Sequence, residues 1–163
     1  MSDERPVVEP ELYETKLREI RAGIEDANDE IEAHELVCHR LTECFEHYSW
    51  VGIYVVEGEK LHLSAWSGAE ETEHTEIPVG EGICGLAAKT GETEVVPDVS
   101  QRPEFIACFP STKSEIVVPI LGPGGVILGE IDVDSDWLDA FDEQDRKFLE
   151  AVAAALAGVM AAS

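Results

Sequence analysis

Basic residues are scarce in this sequence. Eleven Lys and Arg stand against 35 Asp and Glu, which gives a formal net charge of -24. Such a charge repels nucleic acid backbones and anionic membrane surfaces, so both are disfavoured as partners. The acidic residues are spread along the whole chain, which favours a solvated surface over a single acidic binding patch. Because concentrated salt screens self-repulsion, the composition indicates a halophilic protein.

Long apolar runs are also missing. No segment approaches the roughly 18 consecutive apolar residues of a membrane span, and the first residues lack a basic-then-apolar signal pattern. We therefore expect a cytoplasmic protein whose cysteines stay mostly reduced and are buried thiols, catalytic groups or redox sensors. The chain has four of them: Cys38, Cys44, Cys84 and Cys108. Since no cysteines or histidines show close metal-ligand spacing, we expect no metal.

Apolar periodicity predicts the secondary structure. With 163 residues the chain is long enough for one core and too short for two ordinary domains. Two helices are expected between Pro10 and His47, and a last helix begins after an N-cap at Asp142. The glycine-bounded segment GEGICGLAAKTG, residues 80–91, predicts one short helix. Strands are predicted at residues 49–56, 60–66, 76–79, 94–96, 115–121 and 126–134.

This element order predicts an α+β fold. A mainly antiparallel sheet of five or six strands is covered by the N- and C-terminal helices, with one short helix inserted. Residues 1–9 are expected to form a flexible N-terminus and residues 10–163 a single domain. The apolar stripes of the terminal helices suit either a homodimer interface or packing on their own sheet, and the sequence leaves both open.

Two cysteines lie in segments that suit reactivity. Cys84 is expected in the first turn of the short helix, where unpaired amides and the helix dipole stabilise a thiolate. Cys108 lies in the aperiodic stretch 97–114, with Lys113 as the nearest cation in sequence. A small buried hydrophobe is the alternative for either cysteine, and it is the interpretation preferred for Cys38 and Cys44. The GEGICG spacing also fits a dinucleotide fingerprint, but its position in mid-chain favours simple turn glycines.

Three carboxylates alternate along one predicted strand. Glu130, Asp132 and Asp134 are two residues apart and therefore point to one face of the sheet, and Glu115 on the neighbouring strand can join them. They are either solvated charges or a functional cluster. A crowded cluster raises a pKa enough to provide a general acid, or binds a cation such as an ammonium group.

Five segments in order carry a family resemblance: SWVGIYVVE, IPVGEGICG, IAC, SEIVVPI and GEIDVDS. From about Leu36 to the C-terminus the sequence resembles the free methionine-(R)-sulfoxide reductases, a branch of the GAF domains. The resemblance implies a GAF fold and an oxidoreductase that reduces the R sulfoxide of free methionine. It further implies a thioredoxin-like reductant and no bound cofactor. His74 stands near the place where many members carry a third cysteine.

The resemblance also implies residue roles. Cys108 of IAC matches the attacking cysteine, and Cys84 of GICG matches a cysteine that forms the disulfide with it. Glu115, Asp132 and Asp134 match acidic residues that hold the amino acid, and Glu115 and Asp134 match those that assist catalysis. Trp50 matches the aromatic lining for the methyl group. The alternative is a non-catalytic GAF sensor that binds a small ligand or reports oxidation to a partner.

Overall fold

The computed structural model describes residues 5–103 and 110–161. Within them lie four α-helices and six strands. The helices are α1 Pro10–Asp26, α2 Glu30–Cys44, α3 Gly82–Thr90 and α4 Glu143–Ala161. The strands are β1 Trp50–Glu57, β2 Lys60–Gly68, β3 Glu76–Pro78, β4 Glu94–Val96, β5 Ser114–Leu121 and β6 Ile127–Ser135. Along the chain they follow in the order α1, α2, β1, β2, β3, α3, β4, β5, β6 and α4.

The six strands form one sheet in the order β3-β2-β1-β6-β5-β4. All of its neighbouring strands pair antiparallel. The central pair, β1 and β6, joins the first hairpin to the last one, so residues distant in sequence become direct neighbours. The predicted α+β architecture is confirmed, and each predicted element is present with its bounds shifted by three residues at most.

Side-chain alternation on the strands gives the sheet two apolar clusters. Val51 and Ile53 of β1 belong to a core shared with α1, α2 and α4, whereas Trp50 and Tyr54 belong to a smaller cluster shared with α3. The long terminal helices therefore cover one face and the short helix covers part of the other. The apolar stripes of α2 and α4 pack on the sheet, and α1 packs on these two helices with Ile20 buried. A homodimer stays a prediction.

Helix ends follow the predicted chemistry. The carboxylate of Asp142 accepts hydrogen bonds from the backbone N–H groups of Gln144 and Asp145, which confirms it as the cap of α4. Gly91 ends α3 in the left-handed conformation with φ 73°, which a residue with a Cβ adopts only at a cost. In the described ranges, no helix is long and apolar enough to cross a membrane.

A buried carboxylate ties the helical layer together. Asp145 of α4 is fully buried and accepts hydrogen bonds from the hydroxyls of Tyr13 and Tyr48, both at 2.8 Å. His47 Nε2 lies 2.9 Å away, and Arg5 donates from Nη1 at 2.8 Å. Asp145 therefore connects the chain before α1, helix α1 and the segment that leads into β1.

Candidate functional site

The strand register brings the predicted carboxylates together. In the pairing of β1 with β6, Trp50 lies opposite Asp134 and Gly52 lies opposite Asp132. In the pairing of β5 with β6, Glu115 lies opposite Asp134. Directly opposed residues share one face of a sheet. Trp50, Asp134 and Glu115 therefore form a row across three strands, with Asp132 beside it.

All four carboxyl groups on this face are buried. Glu115 is 5% exposed, Glu130 0%, Asp132 1% and Asp134 2%. Of the two alternatives that the sequence left open, solvated charges are therefore excluded. In the described part of the chain, no Lys or Arg forms an ion pair with any of them.

Burial without a cation changes their titration. Loss of solvent raises the pKa of Glu115, Glu130 and Asp134 well above the ordinary carboxyl range, and the charge of Asp132 raises these pKa values further. Burial also raises the pKa of Asp132, although hydrogen bonds with Glu115, Cys84 and Asp134 partly oppose it. Glu115 and Asp134 therefore keep a proton more readily than a surface carboxyl group, as a general acid must.

Close backbone packing places Cys84 against this cluster. A Cβ on Gly85 would meet the carbonyl oxygen of Pro78 at 2.7 Å, and Gly82 has φ 69°, which glycine adopts readily. The GEGICG glycines are therefore needed for a tight turn and a close approach of the backbone. They hold Cys84 in the first turn of α3, as predicted.

The titration of Cys84 differs from the expectation. Burial raises the pKa of the Cys84 thiol well above its ordinary value, and the charges of Asp132, Glu130 and Glu115 raise it further. The prediction of a thiolate stabilised by the helix N-terminus is therefore wrong for the thiol in this environment, since desolvation and three carboxyl groups outweigh the helix dipole.

Two glycines make room for Trp50, and no pattern in the sequence indicates this role. A Cβ on Gly52 or on Gly68 would collide with the indole of Trp50. The indole therefore lies over β1 and the end of β2 where these strands have no side chain. Only the register of the first hairpin, in which Trp50 lies opposite Gly68, reveals this arrangement.

An open cavity of about 320 Å³ adjoins the row of Trp50 and Asp134. Ser49, Glu70 and Asp136 contribute its polar rim, and residues 110–112 close one side. Its size lies at the lower end of small-ligand pockets, about 300–1,000 Å³. The indole of Trp50 and the buried carboxyl group of Asp134 therefore line a cavity suited to a small cationic molecule.

The four cysteines are placed differently. Cys108 lies outside the described residues, so the predicted nucleophile is known by its sequence position alone. Cys38 is fully buried in the helical core, where burial raises the pKa of its thiol, and Cys44 is half-buried at the end of α2. Neither of these two contributes to the carboxylate cluster.

Comparisons with known proteins identify the class first. The family model described as GAF domain matches residues 27–161. This match covers most of the chain and includes every strand of the sheet. The chain therefore belongs to the GAF domain family.

The relatives identify the branch. The free methionine-R-sulfoxide reductase of Saccharomyces cerevisiae is 40% identical over 124 residues, which are 74% of this chain and 68% of that protein. The X-ray structure of the reductase from Neisseria meningitidis, solved in complex with its substrate, has 35% identity and a TM-score of 0.88 and covers 98% of this chain and 95% of that one. The type II reductase of Thermoplasma acidophilum has 38% identity and a TM-score of 0.73, with coverage of 91% and 94%. Within the GAF domains, the chain belongs with the free methionine-R-sulfoxide reductases.

Proposed function

We propose that this protein reduces the R sulfoxide of free methionine to methionine and that a thioredoxin-like dithiol restores it. The observation that carries the proposal is the row of Trp50, Asp134 and Glu115, in which Trp50 and Asp134 line a cavity of amino-acid size. Family membership supports the reductase over a non-catalytic sensor. The reaction needs no bound cofactor, and the acidic composition and thiol chemistry fit the cytoplasm of a halophile.

Substrate recognition follows from charge and shape. The buried carboxyl groups of Glu115, Asp132 and Asp134 have no Lys or Arg partner in the described ranges, so a substrate ammonium group supplies the missing positive charge. The indole of Trp50 offers an apolar surface to the methyl group. A peptide-bound methionine lacks the free ammonium group, which explains a preference for the free amino acid.

The reduction transfers one oxygen atom. The thiolate of Cys108, two residues before the cavity-lining Pro110, attacks the sulfoxide sulfur, and Glu115 or Asp134 protonates the departing oxygen. The oxygen passes to the Cys108 sulfur as the bond between the two sulfurs breaks, so that methionine leaves and a sulfenic acid remains on Cys108. The sulfide sulfur has gained two electrons, and Cys108 has lost two.

Recovery of the enzyme uses the second cysteine. The Cys84 thiol condenses with the sulfenic acid on Cys108, which releases water and forms a disulfide. An external dithiol then reduces that disulfide by exchange. Because burial raises the pKa of Cys84, its thiol stays protonated in the reduced enzyme and does not compete with Cys108 as the attacking thiolate.

Epimer selectivity tests the activity. Purified protein in high salt with dithiothreitol should convert methionine-(R)-sulfoxide and leave the S epimer, as measured by chromatography of the amino acids formed. Absence of turnover with either epimer, in a protein that still binds a small ligand, would favour the sensor instead.

The two cysteines should fail differently when sulfur is replaced by oxygen. Cys108→Ser removes the nucleophile, so an acid-quenched single turnover should yield no methionine. Cys84→Ser keeps the attack and should yield one equivalent, with a sulfenic acid trapped on Cys108 and recycling by thioredoxin largely lost. Cys38→Ser and Cys44→Ser are the controls and should keep full turnover. A methionine burst that survives Cys108→Ser would contradict the assignment of the nucleophile.

A further inference from the structure

A second, much smaller cavity lies beneath Cys84. Its volume is about 20 Å³, which is enough for one water-sized occupant and far too small for an amino acid. Cys84, Glu115, Asp132 and His74 are among the residues that line it. It is distinct from the 320 Å³ cavity at Trp50, since these four residues do not line the larger one.

Three of these side chains form a compact set of metal-type donors. The Cys84 sulfur and one carboxylate oxygen each from Glu115 and Asp132 all lie within 4.8 Å of one another, and all three residues are buried. They come from α3, β5 and β6, so no short sequence motif announces them. The sequence-based expectation of no metal rested on the lack of closely spaced cysteines and histidines. That criterion does not detect donors that come from three separate elements.

Polar atoms at the site lack partners. Oδ1 of Asp132, which lines the small cavity, has no hydrogen-bond partner among the described residues. Glu130, two residues earlier on β6, is fully buried. Apart from the Cys84 thiol, no described group donates a hydrogen bond to its carboxylate oxygens. A buried carboxylate without a donor is costly unless a cation or a proton satisfies it.

His74 lines the same cavity just outside this compact set of donors. Its backbone carbonyl accepts a hydrogen bond from the Tyr54 hydroxyl at 2.8 Å, and its backbone N–H donates to Thr72 at 3.0 Å. These bonds fix the backbone of His74 in the short segment before β3. Cysteine, histidine and carboxylate are the ligand types that zinc takes in proteins.

We propose that the small cavity binds one soft divalent cation of the zinc class through Cys84, Glu115 and Asp132, with His74 as the adjacent donor. Three protein ligands plus one further position is an arrangement that zinc accepts, whereas magnesium and calcium prefer all-oxygen sites. The thiolate is therefore the feature that selects the cation. The buried carboxylates of Glu115 and Asp132 supply negative charge that compensates the charge of the cation.

A cation bound at this site controls the reactivity of Cys84. The bound cation holds Cys84 as a metal thiolate and occupies two carboxylates that the proposed function assigns to substrate binding, so the reductase is inhibited while the metal is present. This consequence rests on the proposed function, whereas the metal site itself does not. Disulfide formation at Cys84 removes the sulfur donor, so the oxidised protein binds the cation far more weakly.

Cobalt provides a direct test that does not depend on activity. Reduced protein in concentrated potassium chloride with excess magnesium is titrated with Co²⁺, so that weak binding to the acidic surface is suppressed. We expect one cobalt per chain, a cobalt–thiolate charge-transfer band and the visible bands of tetrahedral geometry, all abolished by an equivalent of Zn²⁺. Cys84→Ser should lose the charge-transfer band, and Asp132→Asn should weaken binding by at least roughly tenfold, the loss seen when even a supporting group is removed. Cys44→Ser, outside the cluster, is the matched control and should bind as the wild type does.

The outcomes separate the two proposals. An unchanged cobalt spectrum in Cys84→Ser, or loss of the spectrum in Cys44→Ser alone, would overturn the metal site whatever the activity. Circular dichroism of each variant shows whether a lost cobalt spectrum reflects an unfolded chain. If Cys84→Ser does not fold, the cobalt affinity of Asp132→Asn tests the metal site instead. Zn²⁺ should inhibit methionine formation by at least about tenfold, and a chelator should restore it. Normal cobalt binding in a protein that turns over neither epimer would refute the reductase and leave the metal site standing.

Discussion

Asp145 offers the strongest test of what holds the helical layer on the sheet. Burial alone would raise the pKa of this carboxyl group, but hydrogen bonds from His47, the backbone N–H of Asp142 and Tyr13, together with the charge of His47, lower the pKa to about 2. The ordinary value is 3.8. At about 1.4 kcal/mol for each pKa unit, the difference corresponds to about 2 kcal/mol of stability that depends on the charge of Asp145.

The perturbation is Asp145→Asn, which keeps the shape and removes the charge. At neutral pH it should lower the free energy of unfolding by about 2–4 kcal/mol, because buried donors lose a charged acceptor. Because the folded pKa lies below the unfolded one, the contribution of Asp145 is complete above about pH 4 and is lost as the pH falls towards about pH 2. The difference in stability between the wild type and Asp145→Asn should therefore shrink over that interval.

Denaturant unfolding followed by circular dichroism, in constant high salt, measures both quantities. Glu25→Gln, which removes a charge from an exposed position of α1, is the control and should change stability by less than about 0.5 kcal/mol. Tyr13→Phe removes a single donor and should cost about 1 kcal/mol. If Asp145→Asn unfolds within about 0.5 kcal/mol of the wild type, the hydrogen-bond network does not carry the stability assigned to it.

Three further outcomes follow from the same contacts. Gly52→Ala should displace the Trp50 indole, raise KM for the sulfoxide and destabilise the fold by about 1–3 kcal/mol. Tryptophan fluorescence, kinetics and denaturant unfolding measure these three effects, and an unchanged KM would contradict the prediction. Glu130→Gln should raise the melting temperature more at mildly alkaline than at mildly acidic pH. The raised pKa of Glu130 in the folded protein means that its ionisation opposes folding more strongly as the pH rises. Equal increases in melting temperature at the two pH values would contradict this prediction. The net charge of -24 predicts that the melting temperature rises from dilute buffer to molar salt, and a flat or falling dependence would refute halophilic adaptation.

The elements and their order could be predicted because each carries a local signal. The helical stripe of Ile20 and Ile24, the glycine at position 91 and the cap at Asp142 act through neighbouring residues. The shared face of Asp132 and Asp134 follows from the period of a strand alone. These predictions were confirmed because no long-range contact overrides them.

The environment of the site depends on contacts across the sheet, and the sequence does not encode those locally. Nothing near Cys84 in the sequence shows that Glu130, almost fifty residues later, lies beside its thiol, so helix position alone gave the wrong direction for its pKa. The burial of the carboxyl groups and the fit of Trp50 over Gly68 likewise require the register. The roles of Cys108, Cys84, Glu115, Asp132, Asp134 and Trp50 in the reaction stay predictions.

The two faces of the sheet have opposite energetic demands, and β1 connects them. The site face keeps carboxyl groups buried with no Lys or Arg partner in the described ranges, which costs stability. The helical face supplies an apolar core and the Asp145 network. Tyr48, held by Asp145, is followed by Ser49, whose N–H donates to the carbonyl of Asp134 at 3.0 Å, and then by Trp50. The network on the stable face therefore fixes the start of β1 and, through it, the spacing of Trp50 and Asp134 on the site face. Weakening Asp145 should for this reason disturb substrate binding as well as folding, although Asp145 lies on the opposite side of the sheet from the proposed substrate.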